Sequence, residues 1–358
     1  MKVIIFGSDK LYLTGGNVYC SMFYKIIKLD ESCSVEFYEP KVYESGFTFK
    51  KIITPFLELR LLKKLRNNDI SFWNSVDAYH CLLVVFCAKL LFPKKKIFII
   101  HHHYKFEMME GLQKTIFRFF ELNFLKMASS IIIPSPYILN ETKRYLPSSK
   151  ISYLEIAFED HSNTKDNLVK KGQLLFVGNI EDRKGLHLLI DALHELKLET
   201  NDFLVNVAGA VIDLKYYEYL LRKIKEYGLE GNIVFHGRVT NEEKLGYLKT
   251  ADAFVFPSLH EGYGMVIIEA MCFGVPVIAF NNSAIPYTVK DGYNGLLAAN
   301  KDTHDLKQKL SDLLNNSTLR DRLSKGAFET FSKSRRLPLL IEEMKTFIKD
   351  LTLNYKSK

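Results

Sequence analysis

Short runs of consecutive apolar residues recur along the chain, and most are followed by a glycine or a polar loop and then by an apolar pattern of helical period. Such runs are typical of parallel strands that are buried on both faces, and the helical segments between them predict βαβ units. The strand-like runs are residues 3–6, 35–38, 78–86 (a strand that leads into a helix), 97–100, 131–135, 174–178, 203–209, 233–239, 254–257 and 275–280. The chain therefore predicts an α/β protein with two half-chains of similar pattern.

The stretch 254–280 has the clearest order of strand, loop, helix and strand. One apolar run ends at Pro257, a second begins at Val275, and a glycine-containing loop opens the helix between them. The N-terminus of such a helix presents unpaired N–H groups at the carboxyl edge of the sheet. The amides near Gly264 and Met265 are therefore expected to hold an anion, and phosphate is the natural one.

Two carboxylates, Glu261 in the loop and Glu269 on the helix, bracket this expected anion site. A carboxylate beside a phosphate is repelled by it, so acids fit here if they accept hydrogen bonds from a ribose diol or from sugar hydroxyls. The alternative is that Glu269 is an exposed helix residue and that Glu261 only favours the helix dipole. The combination of both acids with the loop of residues 261–264 favours a sugar nucleotide as the ligand.

Length and composition limit the class of protein. A chain of 358 residues with 47% hydrophobic and 25% charged residues predicts a globular protein of two domains. Its five cysteines are scattered without a Cys-x-x-Cys pair, which argues against a disulfide framework or a zinc site and favours the cytoplasm. The longest apolar run, residues 81–92, is interrupted by Lys89 and is shorter than the roughly 18 residues of a membrane span, so we expect no transmembrane helix.

The net charge of +8 is concentrated in three segments, residues 50–66, 94–96 and 112–127. In the first and third of them, lysines and arginines alternate with leucines, isoleucines and phenylalanines. Basic amphipathic segments of this kind can bind an anionic membrane surface, but they can equally be ordinary helices whose apolar faces pack inside a domain. The sequence leaves both interpretations open. It contains no nucleic-acid-binding motif, so we expect no nucleic acid as a partner.

Glu261, Glu269 and the following Ala270-Met271-x-x-Gly274-x-Pro276 resemble the signature of the retaining glycosyltransferases of family four, which are group 1 glycosyltransferases. The resemblance is strong over residues 174–297 and weak before them. It implies the GT-B fold, in which two Rossmann-like domains face a central cleft and a C-terminal helix crosses back to the first domain. The expected division is an acceptor-binding domain at 1–165, a nucleotide-sugar-binding domain at 166–332 and the crossing helix at 333–358.

The resemblance also implies a site. Lys184 and Arg183 would hold the donor diphosphate, although Asn179 stands where the family has an arginine. Glu261 would orient the sugar, and His101 or His102 at the end of a strand would contact it; the residues leave open which histidine does so. The other expected donor contacts are Gly15, Gly16, Gly178, Arg238, Val239, Tyr263, Gly264, Met265 and Glu269.

The implied activity is that of a retaining, metal-independent hexosyltransferase that needs no cofactor. It would move a sugar from a nucleoside diphosphate, UDP rather than GDP, to a hydroxyl of a lipid-linked or cell-surface glycan precursor of the lipopolysaccharide or capsule type. A metal site at His101-His102-His103 is not expected, because adjacent residues on an extended backbone alternate faces. The alternatives are a non-catalytic sugar-nucleotide-binding subunit, which the departures at Asn179 and Tyr287 favour, and a sugar-nucleotide epimerase. We expect a cytoplasmic protein that is peripheral on the inner face of the membrane.

Overall fold

The structure of the protein, a computed structural model, describes residues 1–6, 15–38, 61–75, 82–162 and 169–356. The chain forms two compact units, one of Met1–Ala157 with Arg335–Lys358 and the other of Phe158–Ser334. Their limits fall near the expected divisions at 165 and 332, and the roles expected for the two domains stay predictions. Each unit is built on a parallel sheet, as the runs of apolar residues predict.

The first unit contains a six-stranded parallel sheet in the order β2-β1-β3-β4-β5-β6. Its strands and helices are β1 (Lys2–Phe6), α1 (Gly15–Lys28), β2 (Ser34–Tyr38), α2 (Leu61–Asn67), β3 (Ile70–Asn74), α3 (Leu82–Leu91), β4 (Lys96–Ile100), α4 (Gly111–Met127), β5 (Ser130–Ile133), α5 (Pro136–Lys143) and β6 (Ile151–Tyr153). The central strands β1, β4 and β5 are rich in isoleucine and buried along nearly their whole length, as expected for strands that helices cover on both faces.

The second unit has a six-stranded parallel sheet in the order β12-β11-β10-β7-β8-β9. Its elements are β7 (Gln173–Val177), α6 (Leu186–Lys197), β8 (Leu204–Ala208), α7 (Leu214–Glu226), β9 (Ile233–Gly237), α8 (Asn241–Thr250), β10 (Ala253–Phe256), α9 (Met265–Cys272), β11 (Val277–Phe280), α10 (Ile285–Thr288), β12 (Gly295–Ala298), α11 (Thr303–Asn315) and α12 (Ser317–Lys333). The last helix of the chain, α13 (Leu337–Lys356), packs on α1 and so belongs to the first unit, which confirms the expected crossing.

Two strands of the first unit, β3 and β6, were not predicted from the sequence. Residues 78–86 were expected to form a strand that leads into a helix; residues 78–81 lie outside the description, and from Leu82 onwards the chain is helix α3. The first missed strand, β3, precedes this segment, and its polar Ser71 and Asn74 interrupt its apolar pattern although both are buried. The other missed strand is the short β6, which lies beyond β5 at the edge of this sheet.

Candidate functional site

Glu261 is the centre of a buried cluster of charges at the carboxyl end of β10. Its side chain is only 11% exposed, and its Oε1 atom accepts hydrogen bonds from Lys184 Nζ at 2.6 Å, Ser258 Oγ at 2.6 Å and Arg183 Nη1 at 3.3 Å. Burial alone would raise the pKa of Glu261, but the charges of Lys184 and Arg183 outweigh it and lower this pKa to about 2. Glu261 is therefore an ionised carboxylate at neutral pH, held by two cations.

The turn Asp182–Lys184 brings the two cations to Glu261 because it packs backbone to backbone on the loop after β10. The turn ends at Gly185, which has φ +70°, and a Cβ atom at Gly185 would lie 2.0 Å from the Pro257 carbonyl oxygen. The amide of Leu259 donates to the Arg183 carbonyl at 2.8 Å. Only glycine fits both the backbone conformation and the close approach at position 185.

Arg183 is engaged by more than one acid. Its Nη2 atom donates to Glu181 at 2.7 Å and its Nη1 atom to the His260 carbonyl oxygen at 2.8 Å. Its guanidinium thus lies in the same cluster as Lys184. That Arg183 supplies the positive charge missing at Asn179 stays a prediction. The position of Arg183 beside Lys184 is consistent with it.

Helix α9 begins beside this cluster with an uncapped N-terminus. Gly264 precedes the helix with φ +82°, and no side chain of the described residues caps the first turn, which starts at Met265. Tyr263 lies in the loop just before it, with its ring 5.8 Å from that of Phe158. The expected anion site at Gly264 and Met265 is therefore at the end of the loop that carries Glu261.

Glu269 is one turn into α9 and has a cation of its own. Its Oε2 atom accepts from Lys244 Nζ of α8 at 2.6 Å. Sequence reasoning missed Lys244, which lies outside the stretch 254–280, and did not single out Ser258 within that stretch. The two acids that were expected to bracket one anion thus belong to two separate ion pairs.

The remaining predicted residues of the second unit lie along the same edge of its sheet. Gly178 follows β7 and lies against Gly209, which follows β8. A Cβ atom at Gly209 would be 1.8 Å from the carbonyl oxygen of Gly178. Arg238 and Val239 follow Gly237 at the end of β9, two strands away from β7, and Arg238 is exposed. The structure places these residues at the carboxyl ends of the strands, where ligands of open α/β sheets bind, but not in contact with Glu261.

His101 and His102 lie at the carboxyl end of β4 in the first unit. His101 is fully buried, with its ring edge-on to Tyr104 at 4.4 Å between centroids, and burial lowers its pKa well below the usual value. Burial lowers the pKa of His102 to about 4, so both imidazoles are neutral at pH 7. Within the described ranges, three ring nitrogens have no hydrogen-bond partner: both nitrogens of His101 and Nε2 of His102.

Gly15 and Gly16 are the first two residues of α1. The residues between β1 and this helix lie outside the description.

The basic amphipathic segments differ in what their apolar residues do. Residues 50–60 of the first segment lie outside the description, and in its remainder Leu61 and Leu65 are buried. In α4, by contrast, every residue from 111 to 120 is exposed. Three of its large apolar side chains have exposed fractions above one half: Leu112 76%, Phe119 65% and Phe120 55%. This helix therefore presents an apolar surface, together with exposed Lys114 and Arg118.

The described residues contain neither a candidate metal cluster nor a candidate membrane-spanning helix. In that part of the chain, no group of three or more His, Cys, Asp or Glu residues is arranged to hold a metal ion. Likewise, none of its helices combines the length and the apolar character that crossing a membrane requires.

Comparison with known proteins gives a family for the second unit and relatives for the chain. Residues 158–330 match the family described as glycosyl transferases group 1. An uncharacterized glycosyltransferase of Methanocaldococcus jannaschii is 34% identical over 212 residues, which are 58% of this chain and 55% of that protein. O-antigen chain mannosyltransferase B of Escherichia coli is 29% identical over 178 residues, 49% of this chain and 45% of the relative. The chain thus spans about half the length of these two proteins.

The solved structure of Anabaena HepE in complex with UDP and glucose has a similar fold. Its TM-score is 0.76, at 15% sequence identity, and the match covers 98% of this chain and 100% of the other. At so low an identity the likeness concerns the fold alone, and it confirms the expected α/β fold class of the GT-B type.

Proposed function

We propose that this chain is a group 1 glycosyltransferase that transfers a sugar from a nucleoside diphosphate to a hydroxyl group, because residues 158–330 match that family. The observation that carries the proposal is the buried cluster in which Lys184 and Arg183 meet Glu261 at the carboxyl edge of the second sheet. Two adjacent cations beside the uncapped N-terminus of α9 suit a diphosphate, since each offers charge-assisted hydrogen bonds to its oxygens. We propose UDP as the nucleotide, by analogy with HepE, which was solved with UDP and glucose.

The acceptor that we propose is a lipid-linked or cell-surface glycan precursor. The support is the name of the E. coli relative, an O-antigen chain mannosyltransferase. We further propose that the sugar is transferred with retention and that the donor phosphate helps to deprotonate the acceptor. Lys184 and Arg183 then stabilise the charge of the departing diphosphate, which is the task that a metal ion has in other transferases.

The remaining side chains have binding roles in this proposal. Glu269 binds the ribose, while Glu261 and the amides of Tyr263 and Gly264 orient the sugar. A neutral imidazole at position 101 or 102 can donate a hydrogen bond to a sugar hydroxyl or accept one from it, which suits the low pKa values of both histidines.

The first experiment is a thermal-shift and calorimetric screen of the protein against UDP-, GDP- and ADP-sugars, with donor hydrolysis followed in the same samples. Saturable binding of one donor with slow hydrolysis to free sugar supports the transferase. Binding without hydrolysis or transfer favours the non-catalytic subunit, and conversion of the donor to an isomeric sugar nucleotide favours the epimerase. If none of the donors binds, the proposal is wrong.

We also propose that α4 binds the protein to an anionic membrane surface on the cytoplasmic side. The apolar side chains Leu112, Phe119 and Phe120 would enter the interface, while Lys114 and Arg118 would contact lipid phosphates. A lipid-linked acceptor would be presented to the enzyme at such a surface.

This membrane proposal predicts that the protein sediments with vesicles rich in phosphatidylglycerol at low salt and is released as the salt concentration rises. Phe119→Ser combined with Phe120→Ser should weaken binding by at least about tenfold, because two apolar side chains leave the interface. Leu198→Ser is the matched control, since Leu198 is 82% exposed but lies in the second unit. Equal binding to phosphatidylcholine vesicles, or unchanged binding of the double variant, would contradict the proposal.

A further inference from the structure

The ion pair between Lys244 and Glu269 joins two helices next to the proposed donor site. Lys244 is on α8 and Glu269 on α9, and their side chains are only 19% and 25% exposed. Lys244 Nζ contacts Oε2 of Glu269 at 2.6 Å, whereas Oε1 of Glu269 accepts no hydrogen bond from the described residues. In this ion pair, Oε1 of Glu269 is therefore available to accept a hydrogen bond from a ligand.

Hydrogen bonds at both ends of α8 fix the position of Lys244. At the start of the helix, Thr240 and Glu243 form a capping box: the Thr240 amide donates to Glu243 Oε2 at 2.7 Å, and the Glu243 amide donates to Thr240 Oγ1 at 3.2 Å. One turn beyond Lys244, Tyr247 shares a hydrogen bond of 2.9 Å with His236 Nδ1. His236 Nε2 in turn lies 2.9 Å from Asn206 Oδ1 on β8.

These contacts define the roles of the atoms in the chain of hydrogen bonds. Asn206 Oδ1 can only accept, so His236 donates from Nε2 and accepts from the Tyr247 hydroxyl at Nδ1. The helix α8 is thus anchored to β8 and β9 immediately after Arg238 and Val239. Lys244 is therefore held on a helix that follows Arg238 and Val239 in the chain, with its ammonium group on Glu269.

A carboxylate alone is a poor neighbour for a diphosphate, because the two anions repel each other. Pairing with Lys244 removes the net charge of Glu269 and also places N–H donors beside an open oxygen acceptor. Each ribose hydroxyl can both donate and accept a hydrogen bond, so a neighbouring pair of hydroxyls matches such a donor and acceptor.

We infer that Lys244 completes a ribose-binding subsite in the donor site. Glu269 Oε1 accepts from one hydroxyl of the ribose, and an N–H group of Lys244 donates to the oxygen of the other. This inference rests on the proposed function, because it requires a nucleotide with a ribose to bind at α9. It adds a residue that contacts the ribose and that sets the preference for ribonucleotides over deoxyribonucleotides.

The test is calorimetric titration of UDP, 2′-deoxyUDP and 3′-deoxyUDP into the wild-type protein and the Lys244→Met variant. The wild type should bind UDP about tenfold or more tightly than either deoxynucleotide, since each lost hydroxyl leaves a charged partner unsatisfied. In Lys244→Met, at least one of the two deoxynucleotides should bind with an affinity within about twofold of that of UDP. Repulsion between the bared Glu269 and the diphosphate weakens all three ligands alike, so the ratio isolates the ribose contact.

Two further variants keep the test decisive. Lys249→Met changes another lysine of α8, one that makes no ion pair among the described residues, and it should preserve both the affinities and the ratio. If Lys244→Met unfolds, Lys244→Met combined with Glu269→Gln removes both charges of the pair and should bring the ratio close to one. An unchanged ratio in the folded Lys244 variant overturns the inference and leaves the transferase proposal standing. Failure of the wild type to bind any nucleotide, GDP and ADP included, instead overturns the proposed function.

Discussion

Lys184→Ala is expected to slow sugar transfer from the bound donor by about a hundredfold or more. The departing diphosphate gains negative charge as the bond to the sugar breaks, so a buried cation beside it stabilises the transition state more than the ground state. Lys184 is suited to this role because its side chain is only 13% exposed and it lies in a turn that is locked against the loop carrying Glu261. The rate is measured as hydrolysis of the donor to free sugar. The donor is the one that the binding screen identifies, and it is used at a saturating concentration.

Lys223→Ala is the matched control for this prediction. Lys223 is as buried as Lys184, with 12% of its side chain exposed, and it pairs with Asp191 at 2.7 Å, but it lies on α7, which carries none of the predicted site residues. The control should keep its rate within about threefold of the wild type. A near-normal rate for Lys184→Ala would remove Lys184 from the mechanism, and equal losses in both variants would attribute the effect to folding.

How well the site can be predicted from the sequence depends on how local its contacts are. Glu261, Gly264 and Glu269 belong to one βαβ unit of neighbouring residues, so spacing and glycine content are enough to suggest an anion site. The contact of Lys184 with Glu261 joins residues 77 positions apart, and only the resemblance to a family put them in one site. Lys244 was missed because its partner lies on another helix and its sequence neighbours form no recognisable motif.

The errors in the fold have an equally physical origin. Strand β3 was missed because buried polar residues interrupt its apolar run; Ser71, for example, satisfies its hydroxyl by accepting from the indole N–H of Trp73 at 3.0 Å. For α4, the pattern showed that the helix is amphipathic, but it could not show which side chains the domain covers. Burial is decided by contacts with distant segments, and the structure shows that Phe124 and Leu125 pack inside while Phe119 and Phe120 do not.

The largest effect on stability is expected for Glu261→Ala, which should lower the free energy of unfolding by about 3–5 kcal/mol, because it leaves the charges of Lys184 and Arg183 buried without their shared partner. The effect should depend on pH. The folded-state pKa of Glu261 is about 2, below its ordinary value of 4.5, so the carboxylate stabilises the fold fully above pH 4.5 and loses this contribution as the pH falls towards 2. Urea unfolding of both proteins from neutral to acidic pH should therefore give stabilities that converge at low pH.

Inorganic phosphate provides a further test, because an anion that replaces the lost carboxylate should restore part of the stability of Glu261→Ala. Asp191→Ala is the control: it removes the partner of Lys223 outside the proposed donor site, and phosphate should stabilise it no more than the wild type. A Glu261→Ala variant as stable as the wild type would mean that the carboxylate does not hold the two cations. Selective rescue by phosphate would instead mean that Glu261 and the donor diphosphate compete for the same two cations, so that a donor must displace or share the contacts of Glu261 when it binds.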